Sequence, residues 1–330
     1  MISVVIPLYN KEKQIANTLH SVLRQTFQNF EIVVVNDGST DNSVQEVEKV
    51  NDIRIRIVHQ KNAGVSAARN KGIEEARYDL IAFLDADDKW DQEYLQTQYG
   101  LYEKYSDCSV YACNYVFQDV SGIMKNTIIR KLPFQEEEGI LTNYFEVVSC
   151  SHSPIWTSAI MVKKEAIQAV GGFPVGIKSG EDLLTWARLA IHNKIAYSKR
   201  PLAYYIETAS DTDVSKIKVR SGGEKYILNE LLRLYADMKE GSFKQQFKAF
   251  IIKWYKIYAV TLIEVEKGHQ AISVAFHAVV FGGTLKSFFP IVCLGLLPNK
   301  LSLYLFYKLI LQKQKVKMFF CICLIFVDFF

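Results

Sequence analysis

The sequence predicts an α/β fold: a mostly parallel central sheet flanked by helices over residues 1–210, followed by a helical extension over residues 211–330. Three observations predict it. Between residues 2 and 90, short β-branched runs alternate with stretches of helical period, the pattern of a parallel sheet covered on both faces. Three of those runs end in polar clusters, and ligands of such sheets bind beyond the carboxyl ends of the strands. The charge is also divided. The 330 residues carry +4 overall, but −4 as far as residue 210 and +8 beyond it.

The elements follow in order. Ser3–Ile6 is a buried strand ended by Pro7, and Ile15, Leu19, Val22 and Leu23 mark a helix over 11–26. Glu31–Val35 is the second strand, closed by the turn-rich stretch Asn36–Asp41. Val44 and Val47 indicate a helix, Ile53–Val58 a third strand, and Ser66–Ala76 a further helix. Leu80–Leu84 is an apolar strand that runs into Asp85. Beyond it the pattern predicts a helix near 92–105, strands at 109–117 and 158–162, and a solvated loop at Glu136–Glu138. Short helices at 163–170 and 181–193 flank a Gly-rich segment, and helical period dominates 220–265.

Composition narrows the function. With 49% hydrophobic and 13% aromatic residues the chain has ample core, which excludes global disorder. A net charge of +4 argues against a nucleic-acid binder. The six cysteines form no C-x-x-C pair and no zinc spacing, so reduced thiols in a cytosolic compartment are expected. The segment Met1–Pro7 has no basic region and reads as a strand rather than a signal peptide, which points the active part to the cytoplasm. No G-x-G-x-x-G, P-loop, H-E-x-x-H or G-x-S-x-G occurs.

Four motifs carry chemistry. Asp85-Ala86-Asp87 ends a hydrophobic strand, and carboxylates two apart on extended backbone reach one hard cation, Mg²⁺ or Mn²⁺, with positions left for diphosphate oxygens. Taken alone it is equally an acidic turn, with Asp88 capping a helix near Trp90. In Asn36–Asp41, Asp37 can accept from a base N–H while Gly38 permits close approach, though a βα turn capped by Ser39 or Thr40 explains it too. In Asn62–Gly72, Ser66 suits an N-cap, Arg69 reaches a phosphate or an acidic loop, and Ala67 and Ala68 suit close packing on the sheet. Glu181-Asp182 opens a helix after Gly171-Gly172-Phe173; one of the two is a candidate general base, or both only complement the helix dipole. A metal role for His152 is open but lacks a paired ligand at recognisable spacing, and His192, ten residues after Asp182 on a helix, reads as structural.

Taken together, Ser3–Asn10, Val35–Asp41, Asn62–Asn70, Asp85–Asp88 and Gly180–Asp182 occur in an order and spacing that closely resemble the family 2 glycosyltransferases, over roughly residues 1–210. The resemblance implies a GT-A nucleotide-diphospho-sugar transferase fold and inversion at the anomeric carbon. It implies that Pro7, Tyr9, Asn10 and Asp37 line the nucleoside pocket, with Arg69 and Asp85 completing the nucleotide site. Asp87 matches the metal ligand and Asp182 the catalytic base. The expected donor is a nucleotide-diphospho-sugar, a UDP-sugar by default, and the acceptor a saccharide or lipid-linked saccharide. The Q-x-x-R-W element of processive synthases is not evident; Trp186-Ala187-Arg188 is a loose echo of it. A decayed nucleotide-sugar-binding protein and a nucleotidyltransferase are the rival functions. Released nucleoside diphosphate, rather than pyrophosphate, separates glycosyl from nucleotidyl transfer.

The tail is basic and apolar. Residues 271–298 carry one charge, Lys286, but Gly282, Gly283, Pro290 and Pro298 interrupt the run that a membrane span needs. Leu301–Val316 sets aromatic and aliphatic residues beside Lys308, Lys313 and Lys315, as an interfacial helix does, and Phe319–Val327 is a further apolar stretch. The expectation is peripheral contact through residues 271–330 with the inner face of the cell membrane.

Overall fold

The computed structural model describes residues 1–207 and 223–314, with side chains to residue 308. The described residues form two compact units. One holds Met1–Tyr144 and the chain from Ser153 to Glu207; the other holds Phe145–His152 and the chain from Gly223 onward. The apolar stretch Phe319–Val327 lies outside the described residues.

The first unit is built on one mixed sheet. Strand β1 (Ile2–Leu8) pairs in parallel with β2 (Phe30–Asp37) and β4 (Leu80–Phe83), and β2 pairs in parallel with β3 (Ile55–Gln60). The helices α1 (Ile15–Leu23), α2 (Ser43–Glu48) and α3 (Val65–Glu75) make the connections. Alternation sorts the side chains between two faces. Ile2, Val4, Ile6, Leu8, Ile32 and Val34 enter the main core with Leu19 and Val22 of α1, whereas Val33 and Val35 pack on Ala68 of α3.

Pro7 does not end the first strand. Leu84 N–H donates to Val5 O at 3.1 Å, so Val5 and, two residues on, Pro7 turn toward β4. Pairing with β4 stops at Val5, while pairing with β2 continues to Leu8. The missing N–H of Pro7 therefore costs no ladder bond. The third strand starts at Ile55 rather than Ile53, whose side chain is fully exposed.

The rest of the sheet departs from the parallel expectation. Its order is β3-β2-β1-β4-β9-β6-β10-β5, with β9 (Ile160–Lys163) antiparallel to both β4 and β6 (Val110–Gln118). Strand β10 (Ile195–Ile206) pairs in parallel with β6, and its register shifts around Pro201. Those shifts, with Lys199, Arg200 and Pro201 in the strand, hide it from a periodicity search. Two-residue β5 (Lys89–Trp90) and β8 (Glu138–Ile140) run antiparallel to β10, and β7 (Met124–Asn126) pairs with β6. Glu138, expected in a solvated loop, thus begins a strand. Helices α4 (Tyr94–Lys104), α5 (Tyr144–Cys150), α6 (Lys164–Ala169) and α7 (Glu181–His192) complete the order up to residue 207.

In the second unit, α8 (Glu224–Asp237), α9 (Ser242–Glu264), α10 (Gly268–Phe281), α11 (Leu285–Leu296) and α12 (Asn299–Gln314) follow one another. Phe145 inserts among Phe243, Phe247 and Phe250 of α9, with ring centroids 5.3, 4.6 and 5.5 Å away. Helix α10 closes on α11 where Gly268 and Gly295 meet backbone to backbone. Among the described residues no helix is long and apolar enough to cross a membrane.

Candidate active site

The carboxyl ends of β1, β2 and β4 converge with the N-terminus of α7, all within the first unit. The β1–α1 loop is tied to the β2–α2 loop by side chains. Asn10 takes φ 51°, a left-handed conformation that Asn tolerates better than most residues. Its Oδ1 accepts Thr40 N–H at 2.8 Å, and its own N–H donates to Ser39 Oγ at 3.2 Å. Lys11 N–H donates to Ser43 Oγ at 2.7 Å. Gly38, at φ +71°, passes so close to Asn62 that a Cβ would lie 2.9 Å from its nitrogen. Ser39 and Thr40 therefore serve the loop contact and not a helix cap; Ser43 N–H donates instead to Asp41 Oδ1 at 3.0 Å.

Asp37 is buried and already engaged. It accepts Gln60 Nε2–H at 2.7 Å and the N–H groups of Ala63 and Gly64 at 2.9 Å each. A carboxylate offers about four acceptor positions, so one remains. Pro7 is buried in β1, whereas Tyr9 stands 46% exposed at the loop edge. Ser66 is not the N-cap of α3, which is Gly64, and Gly72 rather than Ala67 makes that helix's closest approach to the sheet.

Arg69 is the centre of the arrangement. Its guanidinium is buried, donating to Asp85 Oδ1 at 2.8 Å and to Glu181 Oε1 at 3.1 Å, and lies 5.1 Å from the Phe173 ring centroid. Burial opposes the Arg69 charge, but the Asp85, Glu181 and Asp182 carboxylates more than offset it and raise its pKa. Glu181 is thereby committed to Arg69, and Asp182 is the neighbouring carboxylate that makes no ion pair among the described residues. Asp182 Oδ1 accepts Leu183 N–H at 2.7 Å. Burial, then the Glu181 charge, pushes Asp182 up to about 7, with Arg69 and the Leu183 N–H pulling the other way. Asp182 stays partly exposed, so it is reachable as well as poised.

The acidic turn after β4 splits three ways. Asp85 faces Arg69, while Asp87 pairs with the ammonium of Lys11. Asp88 is buried, accepting Ser158 Oγ–H at 2.6 Å and Ile206 N–H at 3.3 Å. It does not cap a helix, since α4 begins only at Tyr94. Burial, then the Asp87 and Asp85 charges, drives Asp88 well above the usual carboxylate range. Thr18 of α1 sets its hydroxyl 2.9 and 2.8 Å from the carbonyls of Ala86 and Asp88 and braces the turn.

Three residues with no role in the sequence motifs matter here. Lys11 meets Asp87 across 76 positions. Ser158 receives Asp85 N–H at 3.1 Å while serving Asp88, and its carbonyl accepts Trp90 Nε1–H at 2.6 Å. Asn70 clamps the Gly-rich segment: its Nδ2 donates to Phe173 O and its Oδ1 accepts Phe173 N–H, both at 2.8 Å. Gly172, at φ +63°, has no room for a Cβ, which would lie 2.5 Å from Asn70 Oδ1. Only the place of Asn70 beside Arg69 hinted at this. His152 belongs to the other unit and His192 to the last turn of α7.

The residues fit a divalent cation chemically. Asp85 and Asp87 offer hard oxygen donors, both partly exposed, and a lysine already stands against Asp87 where positive charge is needed. The pressure of the Asp85 and Asp87 charges on Asp88 is what a cation relieves. Among the described residues no three His, Cys, Asp or Glu side chains form a closed cage, so the remaining ligands of such an ion would come from donor and solvent.

Comparison with known proteins identifies the family and the fold. Residues 3–171 match the family model described as "Glycosyl transferase family 2". Putative glycosyltransferase EpsH of Bacillus subtilis is 37% identical over 150 residues, covering 44% of this chain and 43% of EpsH. Putative teichuronic acid biosynthesis glycosyltransferase TuaG of the same organism is 31% identical over 201 residues, 60% of this chain and 75% of TuaG. The chain spans 34% to 43% of the length of EpsH and two curated Rickettsia glycosyltransferases. Staphylococcus aureus TarS 1-349, solved with UDP-GlcNAc, superposes with a TM-score of 0.65 at 20% identity, covering 89% of this chain and 86% of that one.

Proposed function

The chain belongs to glycosyl transferase family 2 and has the GT-A fold, and from that membership we propose that it moves a sugar from a nucleotide-diphospho-sugar to a hydroxyl of a saccharide or lipid-linked saccharide, with inversion, in cell-surface polysaccharide synthesis. A UDP-sugar is the default donor, in keeping with the UDP-GlcNAc bound by TarS. Catalysis is assigned to residues 1–210, and residues 211–330 form the helical extension.

One observation carries the proposal: Arg69 joins Asp85, at the nucleotide end, to Glu181, beside the partly exposed Asp182. Asp182 takes the proton from the acceptor hydroxyl as that oxygen attacks the anomeric carbon from the face opposite the leaving diphosphate. With its pKa near 7, Asp182 suits a base working near neutral pH. Pro7, Tyr9, Asn10 and Asp37 line the nucleoside pocket, and the remaining acceptor position of Asp37 takes a base N–H. Arg69 and Asp85 complete the nucleotide site. Asp87 would hold the divalent cation, Mg²⁺ or Mn²⁺, whose chemistry is to neutralise charge on the departing diphosphate.

The proposal extends to location: the protein works at the cytoplasmic side, attached peripherally to the inner face of the cell membrane by the region from residue 271 onward. The basic excess of residues 241–330, 11 basic against 3 acidic side chains, supports it.

The test is a screen of nucleotide-sugars for nucleoside diphosphate release, followed by acceptor extension. Release with wild type and none with Asp182→Asn is the expected result. Pyrophosphate as product would overturn the assignment.

A further inference from the structure

Helix α11 carries a single charged side chain, the exposed Lys286 in its first turn. Ser287, Phe288, Ile291, Leu294 and Gly295 face inward. The opposite face, Leu285, Phe289, Cys293 and Leu296, is exposed, and its polar side chains are Lys286 and a free thiol. A helix whose outer face meets only water normally turns polar residues outward. Exposed apolar side chains also flank α11 on both sides in the chain. Val280, 88% exposed, precedes it on α10, and Leu301 and Tyr304 follow it on α12. Leu296 is itself 69% exposed.

Charge names what covers this face. From Gly268 to Gln314 the chain contains no Asp or Glu, and the exposed Lys286, Lys300 and Lys308 lie along or beside the stripe. A second copy would set these lysines against one another, because a two-fold contact places each patch on its own image. An anionic bilayer surface satisfies both halves at once. Its phosphates meet the lysines while leucine, phenylalanine and tyrosine enter the headgroup–acyl boundary, as in an interfacial helix.

We propose that the exposed stripe Val280–Leu285–Phe289–Leu296–Leu301–Tyr304, with Lys286, Lys300 and Lys308, is the docking surface of this protein for anionic phospholipid bilayers. It rests on the peripheral attachment proposed above and gives that attachment a specific face within α10–α12. The helices lie on the membrane and do not cross it.

The test is sedimentation of the full-length protein with vesicles of phosphatidylglycerol and phosphatidylcholine, and with phosphatidylcholine alone. Wild type is expected to bind the mixed vesicles and to bind neutral ones far more weakly. A lysine near an anionic surface is worth roughly fivefold, so neutralising Lys286, Lys300 and Lys308 to Gln should weaken binding on the order of 100-fold. Leu285→Ser, Phe289→Ser and Leu296→Ser together should abolish it, with thermal unfolding and donor binding unchanged because these side chains are exposed. Wild type that binds no vesicle overturns both this surface and the peripheral attachment. Wild type that binds, with both triple variants binding equally well, overturns this surface alone. Wild type that light scattering finds as a dimer dissociated by the Ser variants assigns the stripe to a second copy and overturns the lipid proposal.

Discussion

Arg69 and Glu181 stand 112 positions apart in the chain and meet at 3.1 Å inside the protein. The same guanidinium holds Asp85 at 2.8 Å, so one buried cation joins the end of β4 to the start of α7. Arg69→Met leaves two carboxylates without their cation. A loss of about 3 kcal/mol in unfolding free energy is expected, the lower end for breaking a buried pair because Asp85 keeps some solvent. Urea midpoints with an unchanged m-value measure it; a loss within 0.5 kcal/mol, by order of magnitude, would mean the pair is not structural.

Asp182 should set the acid limb of the rate profile. Burial and the Glu181 charge raise its pKa to about 7, so the ionised base accumulates only as pH rises through that value. Below it, kcat/KM should fall roughly tenfold per pH unit. Glu181→Gln removes the charge that most raises Asp182 after burial, so the limb should move to lower pH. Asp182→Asn should lower kcat by ~10²–10⁴ with donor affinity kept. A limb that ignores Glu181→Gln would separate the titration from Asp182.

Asp87 is paired with Lys11, so its removal should read out in metal dependence. Donor affinity of wild type, titrated with and without Mn²⁺, is expected to rise with the metal. Asp87→Ala should flatten that difference. An Asp87→Ala protein that still shows the full metal effect would place the cation elsewhere.

Gly72 lets α3 lie directly on β1. A Cβ there would come 2.2 Å from Val5 Cγ1, inside any real contact, and Val5 is itself locked in the sheet. Gly72→Ala should therefore destabilise by ~1–3 kcal/mol despite the better helix propensity of alanine. Differential scanning calorimetry decides; a raised midpoint would show that α3 can lift off at no cost.

Glu264 makes stability depend on pH in the helical unit. Burial, then the Glu224 charge, raises its pKa from 4.5 to about 7. Between those values the native state holds a proton that the unfolded chain has released. Stability is therefore full below about pH 4.5 and falls as pH rises toward 7, by on the order of 3 kcal/mol from this group. Glu264→Gln should remove that part of the slope. Identical pH profiles for the two proteins would contradict the burial of this carboxyl.

The parallel half of the sheet was legible because its strands are short apolar runs bounded by turn residues, and β1–β2 and β2–β3 pair in chain order. Ser3–Ile6, Glu31–Val35 and Leu80–Leu84 all lie in strands or at their ends. Strand β10 was not legible, since Pro201 and two basic residues break its period at the shift in register. The antiparallel insertion of β9 between β4 and β6 was equally hidden, because pairing direction depends on where a distant segment returns.

By itself the sequence determined the family, the α/β class and the identities of the acidic and basic groups, because these depend on residue type and order along the chain. Arg69, Asp85 and Glu181-Asp182 stand out in that way. Only the tertiary structure decided which partner each carboxylate meets. Glu181 and Asp182 are neighbours in sequence and chemically alike, yet the helix turns one to Arg69 and leaves the other beside solvent with a raised pKa. Asp85, Asp87 and Asp88 are divided in the same manner among Arg69, Lys11 and Ser158. The reason is physical. A carboxylate's role follows from the charges and donors within a few ångströms of it, and here those partners come from 16, 70, 76 and 112 positions away.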